Sequence, residues 1–204
     1  EALQNRPGTL APFTRDFYNE HGITHREARR TWIYGLTLVG NLMNYHRYGG
    51  IVHFMCFNNL CNTSGQSCIE VSKEETMLPI CGLLFEHMSR TEACWTLRIE
   101  GYEPDSLKSV EIQAAWNNDE TKLVIYLLNK CDKGTHASFD FSLLGRDFRH
   151  LSMKRMTASG GRVQETVRSQ GNIRSEYRHV SPYDRKQDTF DIPPFSFTEI
   201  VLGT

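Results

Sequence analysis

The chain has 204 residues, 39% of them hydrophobic, enough apolar side chains for one large core or two small ones. Its 23 Lys and Arg are balanced by 24 Asp and Glu, which leaves no field to hold a polyanion and excludes nucleic acid as a partner class. The longest apolar stretches, residues 32–43 and 77–85, are broken by Gly, Asn or Pro and fall short of the ~20 residues of a membrane-spanning helix, so no membrane span is expected.

Residues 1–30 are polar and punctuated by Pro7-Gly8, Pro12 and His21-Gly22, a pattern that predicts connecting structure. The chain opens at Glu1 with neither Met nor a signal peptide, so a processed terminus or a fragment boundary is expected there. Over residues 31–48, Trp32, Leu36, Val39 and Met43 recur at three- and four-residue spacing and predict a helix, stopped by Gly49-Gly50. Residues 51–57 are β-branched and aromatic and predict one buried strand, followed by Asn58, Asn59 and Asn62. Ser72-Lys73-Glu74-Glu75 fits a capping box ahead of an apolar stripe through Met77, Cys81, Leu84, Phe85 and Met88. Pro79 lacks the amide N–H a helix interior needs, so that helix starts either at Ser72 or near Pro79. Helix, strand, helix is the repeat of an α/β sheet or barrel, yet a single repeat has no neighbouring strands, so the first half requires upstream chain.

From Cys94 the pattern changes to strands, predicted over residues 95–100, 109–116, 122–129, 137–141, 151–157 and 195–202 and separated by turn residues such as Asn117-Asn118-Asp119 and Asp132-Lys133-Gly134. Alternation over residues 109–114 and 195–200 implies one wet and one buried face, the signature of an all-β sandwich. Residues 158–191 are rich in Gly, Ser, Arg and Gln and too long for a hairpin loop, and are expected to drape over a neighbouring element.

Six cysteines, five of them between Cys56 and Cys94, and the sequon Asn62-Thr63-Ser64 leave two readings open: disulfides in a glycosylated, secreted or periplasmic protein, or buried reduced thiols and a chance sequon. His21 and His25 stand four apart without the Glu or third ligand of a zinc site, so neither a metal nor a cofactor is expected. Of the three tryptophans, Trp32 reads as core and Trp116, beside a turn, as the candidate for stacking on a sugar. The basic strip at residues 174–186 is diluted by Glu176 and Asp184 and reads as a solvated loop.

Three features arrive in one order: a helix ending in Gly-Gly, the run VHFMCFNNLCNT, and the Pro-headed run LPICGLLFEHMSR, followed by a β module that closes with VSPYDRKQDTFDIPPFSFTEIVL. This order resembles the C-terminal portion of the α-L-arabinofuranosidases of glycoside hydrolase family 51, over essentially the whole chain. The family's last strand, Pro-Pro-x-Ser leading to a final Leu, is matched by Pro193-Pro194-Phe195-Ser196 and Leu202. The resemblance implies the remnant of an α/β barrel, its last helix-strand-helix unit, over residues 1–93, followed by a β-sandwich over 94–204. It implies an oligo- or polysaccharide substrate and, as a partner, the upstream barrel segment of the same protein. Barrel sites lie at the C-terminal ends of the strands, which puts Asn58, Asn59 and Asn62 on the catalytic face as candidate substrate-binding residues. Asn59 stands where the family has a sugar-binding Gln, one methylene longer; the plainer role for these amides is to cap the strand-to-helix loop. Glu1 falls where counting back from Asn59 places the nucleophile, though the residues around it do not match the family's run, and it is equally an arbitrary first residue. The family's Asn-Glu-Pro run, which carries the acid/base, is absent from this chain. The alternative to an enzyme part is a non-catalytic carbohydrate-binding or structural module.

Overall fold

The computed structural model describes residues 30–52, 60–62, 67–102, 110–166 and 170–204. In chain order these form helix α1 (Trp32–Arg47), a small hairpin of β1 (Glu70–Val71) and β2 (Thr76–Met77), helix α2 (Ile80–Ser89), and the strands of a β module. Those strands are β3 (Trp95–Leu97), β4 (Val110–Trp116), β5 (Lys122–Asn129), β6 (Thr135–Asp140), β7 (His150–Ala158), β8 (Ile173–Val180), β9 (Gln187–Ile192) and β10 (Ser196–Gly203). Six of them make one antiparallel sheet in the order β3-β4-β5-β10-β7-β8, while β6 and β9 pair as a separate ribbon.

The centre of the large sheet is β5 against β10, in register from Lys122↔Gly203 to Asn129↔Ser196. β5 reads KLVIYLLN, a near-continuous apolar run, and a strand of that kind must be covered on both faces. On one face Leu123, Ile125 and Leu127 join Ile200, Leu202, Leu151 and Trp116, and the β6–β9 ribbon closes over them with Phe139, Phe190 and Ile192. On the other, Val124, Tyr126, Leu128 and Phe197 meet Trp32, Leu36, Val39 and Met43 of α1 and Ile80 and Leu84 of α2. Two helices, a six-stranded sheet and a two-stranded ribbon are thus stacked as three layers around two cores.

Several expectations are corrected by this arrangement. The Ser72 capping motif does not start a helix: the Ser72 hydroxyl accepts from the Glu74 and Glu75 amides and closes the β1–β2 turn. The helix starts after Pro79, whose ring fits the N-terminal turn, where a missing N–H leaves no bond unmade. Residues 158–191 are no loop, since they contain β8 and β9; residues 160–164 do drape, with the Val163 and Gly161 carbonyls accepting the Trp32 and Ile33 amides at the start of α1. β4 and β10 have no wet face either: Glu111 and Gln113 are buried under α1, while Ser196 and Thr198, on the opposite face with Ile200 and Leu202, are buried on the ribbon side, where the Ser196 hydroxyl donates to the Pro193 carbonyl. The strand expected at 51–57 lies largely outside the described residues, and the Ile51 and Val52 amides both donate to the Tyr48 carbonyl in the turn after α1.

Packing between layers is tight at the α2 start. A Cβ on Gly82 would collide with the main-chain carbonyl of Cys68, backbone against backbone, with no flexible side-chain end to yield. Gly82→Ala is expected to destabilise the fold by about 1–3 kcal/mol, whereas Gly50→Ala, where a Cβ meets nothing, should leave the melting temperature within a degree or two of the parent, on the order of a surface change. Thermal unfolding of the two variants checks this directly.

Candidate functional site

Of the residues singled out from the sequence, Glu1, Asn58 and Asn59 lie outside the described residues, as do His21 and His25. Asn62 is described, and its position is well defined by its bonds. It has φ +48, a left-handed conformation that Asn tolerates better than most residues. Its amide donates to Ile69 O (3.1 Å), and its carboxamide pairs with Val71 as a peptide group would: Nδ2 donates to Val71 O (3.0 Å) and the Val71 amide donates to Oδ1 (2.8 Å). The Asn62 side chain therefore holds the 60–62 segment against β1, alongside the Cys61↔Ile69 bridge. Around it lie Glu70, in an ion pair with Arg30 (3.4 Å), and Glu75, which accepts from Gln170 Nε2 (2.8 Å). Next to this corner, the buried Glu165 carboxylate gathers the amides of Gly171 (2.6 Å), Asn172 (2.8 Å) and Ile173 (3.2 Å) and pins the approach to β8.

Trp116 is not a surface residue. It is 8% exposed, stacks on Phe148 and is covered by the Arg146 guanidinium 5.0 Å from the ring centroid. Trp95, its cross-strand partner, is the tryptophan that faces water, at 59% exposure. The turn after Trp116 does not bring it to the surface: Asn117 closes that turn with its own side chain and leaves Trp116 under the ribbon side of the sheet.

The strongest electrostatic feature was hidden in the sequence as the polar half of an alternating strand. Glu111 of β4 is fully buried beneath α1. Lys130 Nζ lies 2.7 Å from its Oε1, and the Arg47 guanidinium 3.8 Å from its Oε2. Arg47 also donates to Asn44 Oδ1 (2.6 Å) and to the Ile112 carbonyl (2.9 Å), so the last turn of α1 is tied to β4 by side chain and main chain together. One step along β4, Gln113 meets His46 Nδ1 at 2.8 Å. A Cβ on Gly40 would stand 2.8 Å from Glu111 Oε1, which explains a residue without one at this point of the helix. Farther along the same face, His87 of α2 sits 3.4 Å from Glu199 of β10 with its ring edge on Phe197, and Thr91 hydrogen-bonds the Tyr126 hydroxyl. This seam of polar groups is largely buried and fastens the helices to the sheet. Sequence offered one signal for it: cations at Arg47 and Lys130 bordering strongly apolar runs.

Burial lowers the affinity of His46 for a proton, with Arg47 adding to the effect and the Cys94 carbonyl opposing it. The cysteines described, Cys61, Cys68, Cys81, Cys94 and Cys131, are all free thiols, and burial beside Cys68 pushes the Cys81 thiol up to about 12, which keeps it protonated and unreactive. Among the described residues no group of three or more His, Cys, Asp or Glu is disposed to hold a metal ion.

No family model matches the chain, and no curated protein does. Solved structures do. The chain is similar to an arabinose-bound GH51 α-L-arabinofuranosidase, with a TM-score of 0.75 and 13% identity over 86% of this chain and 28% of that one. It is similar to the GH51 arabinofuranosidase of Xanthomonas axonopodis pv. citri, TM-score 0.63 and 15% identity over 81% of this chain and 35% of that one. It is likewise similar to the α-L-arabinofuranosidase of Thermotoga maritima in complex with arabinose, TM-score 0.63 and 17% identity over 85% and 38%. The chain thus spans about a third of the length of these enzymes. At such identities the likeness is one of fold, and it bears out the resemblance to the C-terminal portion of family 51 α-L-arabinofuranosidases at that level.

Two measurements test the seam. Lys130→Met alone removes the closer cation from the buried Glu111 carboxylate, leaving it the longer Arg47 contact, and is expected to cost about 3 kcal/mol, while the paired change Glu111→Met with Lys130→Met should recover most of that loss, because apolar groups of similar volume replace a buried ion pair at little cost. Chemical denaturation of both variants reads the difference. His46 binds a proton less readily folded than unfolded, so its contribution is complete above the unfolded value near 6.5 and is lost as pH falls below it toward the lower folded value. The melting temperature is therefore expected to fall on acidification from pH 7 to pH 5, with a shallower slope in His46→Gln, which keeps an amide toward Gln113 and carries no titratable group.

Proposed function

We propose that this chain is the C-terminal part of a retaining glycoside hydrolase of the α-L-arabinofuranosidase type, acting on arabinose, xylose or related linkages in plant- or algal-type polysaccharide. The observation that carries the reading is the extent of the fold likeness: it takes in 86% of the chain, helical layer and β module together, and not the sandwich alone. In this reading α1 and α2 are the seventh and eighth helices of a (β/α)₈ barrel, and the segment between them carries its eighth strand. Asn58, Asn59 and Asn62 then stand at the catalytic mouth, where barrel enzymes collect their polar groups.

Retention requires two carboxyl groups about 5 Å apart, one to attack the anomeric carbon and one to protonate the departing oxygen. Glu1 is the candidate nucleophile. The acid/base is supplied by the upstream barrel segment, since no Asn-Glu-Pro run occurs here. Asn59 donates to a sugar hydroxyl from a side chain one methylene shorter than the Gln of the family, and Asn62, locked on Val71, shapes the rim beside it. The β module acts through the seam: by fixing α1 and α2 on the sheet, it holds both ends of the segment that carries the three asparagines.

A second reading, a non-catalytic carbohydrate-binding module, draws on Trp95, whose ring is exposed at the end of the sheet and free to lie on a sugar. One set of assays separates the two. Full-length protein is expected to release nitrophenol from 4-nitrophenyl α-L-arabinofuranoside, Asn59→Ala to lower kcat/KM by about a hundredfold, and Glu1→Gly to lose turnover and recover part of it with azide, which replaces the missing carboxylate. Absence of turnover together with arabinan binding that Trp95→Ala abolishes would establish the second reading instead.

A further inference from the structure

The two ends of the large sheet differ in kind. β3, at one end, is three residues long. β8, at the other, runs for eight residues without proline or glycine and stays in unbroken register with β7 from Ile173↔Ala158 to Val180↔Leu151. Among the described residues no strand pairs with its outer edge. Residues 174–179 are exposed on both faces, Tyr177 at 72%. A long row of unpaired N–H and C=O groups is a template for another strand, and proteins that must stay apart shorten it, bend it or line it with charges that repel.

The charges on β8 do something different. When two antiparallel edges merge into one continuous sheet, the symmetry axis is perpendicular to it, and each residue faces one of the same parity in the second strand. Only axes at Glu176 or at Tyr177 keep seven residues of β8 paired. An axis at Glu176 sets that carboxylate against its own copy and Arg174 against Arg178, like charge on like charge. An axis at Tyr177 sets Glu176 against Arg178 and Arg178 against Glu176, with Ser175 facing His179 and the two tyrosines meeting on the dyad. Opposite charges directly across a strand pair stabilise it and like charges destabilise it, so the sequence selects the second register. Glu176 is available for this role: its side chain is 63% exposed, and Arg155, 3.8 Å away, is anchored on the Asp191 carbonyl at 2.9 Å.

From this self-complementary pattern on an edge that no described strand covers, we infer that β8 pairs antiparallel with β8 of a second copy of this chain, about a two-fold axis at Tyr177, so that the two large sheets join into one. The inference rests on the edge and its charges and is independent of the functional reading. Sedimentation equilibrium of the full-length protein over a wide concentration range tests it. A reversible dimer is expected, tighter at low salt. Glu176→Arg and Arg178→Glu are each expected to weaken it by about tenfold or more, and the double variant, which restores opposite charges across the dyad, to return it close to the parent. Tyr177→Lys, which faces the other side of the sheet and puts two cations on the axis, gives a third dissociating variant should either reversal lower the melting temperature. A monomer at all concentrations, a dimer indifferent to the single reversals, or a double variant no tighter than the singles overturns the inference.

Discussion

Everything in this molecule answers to one constraint: β5 and β10, paired at the middle of the sheet, bury side chains on both of their faces. A sheet with two apolar faces has to be roofed twice, and burying each large side chain is worth about 1.5–3 kcal/mol. The β6–β9 ribbon roofs one side, and α1 with α2 roofs the other. The helical layer is therefore no appendage of the β module; the two share a core in which Trp32, Tyr126 and Phe197 are completely enclosed.

Apolar cover alone would let the helices slide, and polar bonds set their position. At the start of α1, the Trp32 indole donates to the Phe195 carbonyl at 2.7 Å, and Phe195 is presented for it by a left-handed backbone, φ +45, in the Pro193-Pro194-Phe195-Ser196 run. At the end of α1, Arg47 reaches Glu111 and the Ile112 carbonyl. With both ends of the helix registered on the sheet, the chain that leaves α1 and returns through the Asn62 corner to α2 is anchored at each side. The likeness of fold to the family 51 arabinofuranosidases, at 13–17% identity, extends over 81–86% of this chain.

Much of this was legible beforehand, and the misses share a cause. The helix at residues 32–47 and the strand at 122–129 were read to within a residue, because the first carries a 3.6-residue period and the second an apolar run between turn signals. β8 was missed because an edge strand bare on both faces has no alternation to reveal it, and β9 because its buried Phe190 and Ile192 sit among Gln187, Asp188 and Asp191. Alternation assigns Glu111 and Gln113 to water because period alone shows which residues share a face and not what lies above that face. At the candidate site, the type and order of Asn58, Asn59 and Asn62 were legible, whereas the bonding of Asn62 to Val71 depends on a φ that only the fold imposes.

The Trp32–Phe195 bond joins residues 163 apart in sequence, and the strand that follows Phe195 is the one inserted between β5 and β7. For a chain emerging from a ribosome this order has a temporal meaning. The middle plank of the sheet comes after every other strand described, so α1, β4, β5 and β7 must wait with apolar faces uncovered until it arrives. Contacts of such long sequence separation slow folding and extend the interval in which exposed strands can find wrong partners. The sheet of this molecule is therefore completed by its latest described strand, and until then the central apolar faces stay exposed.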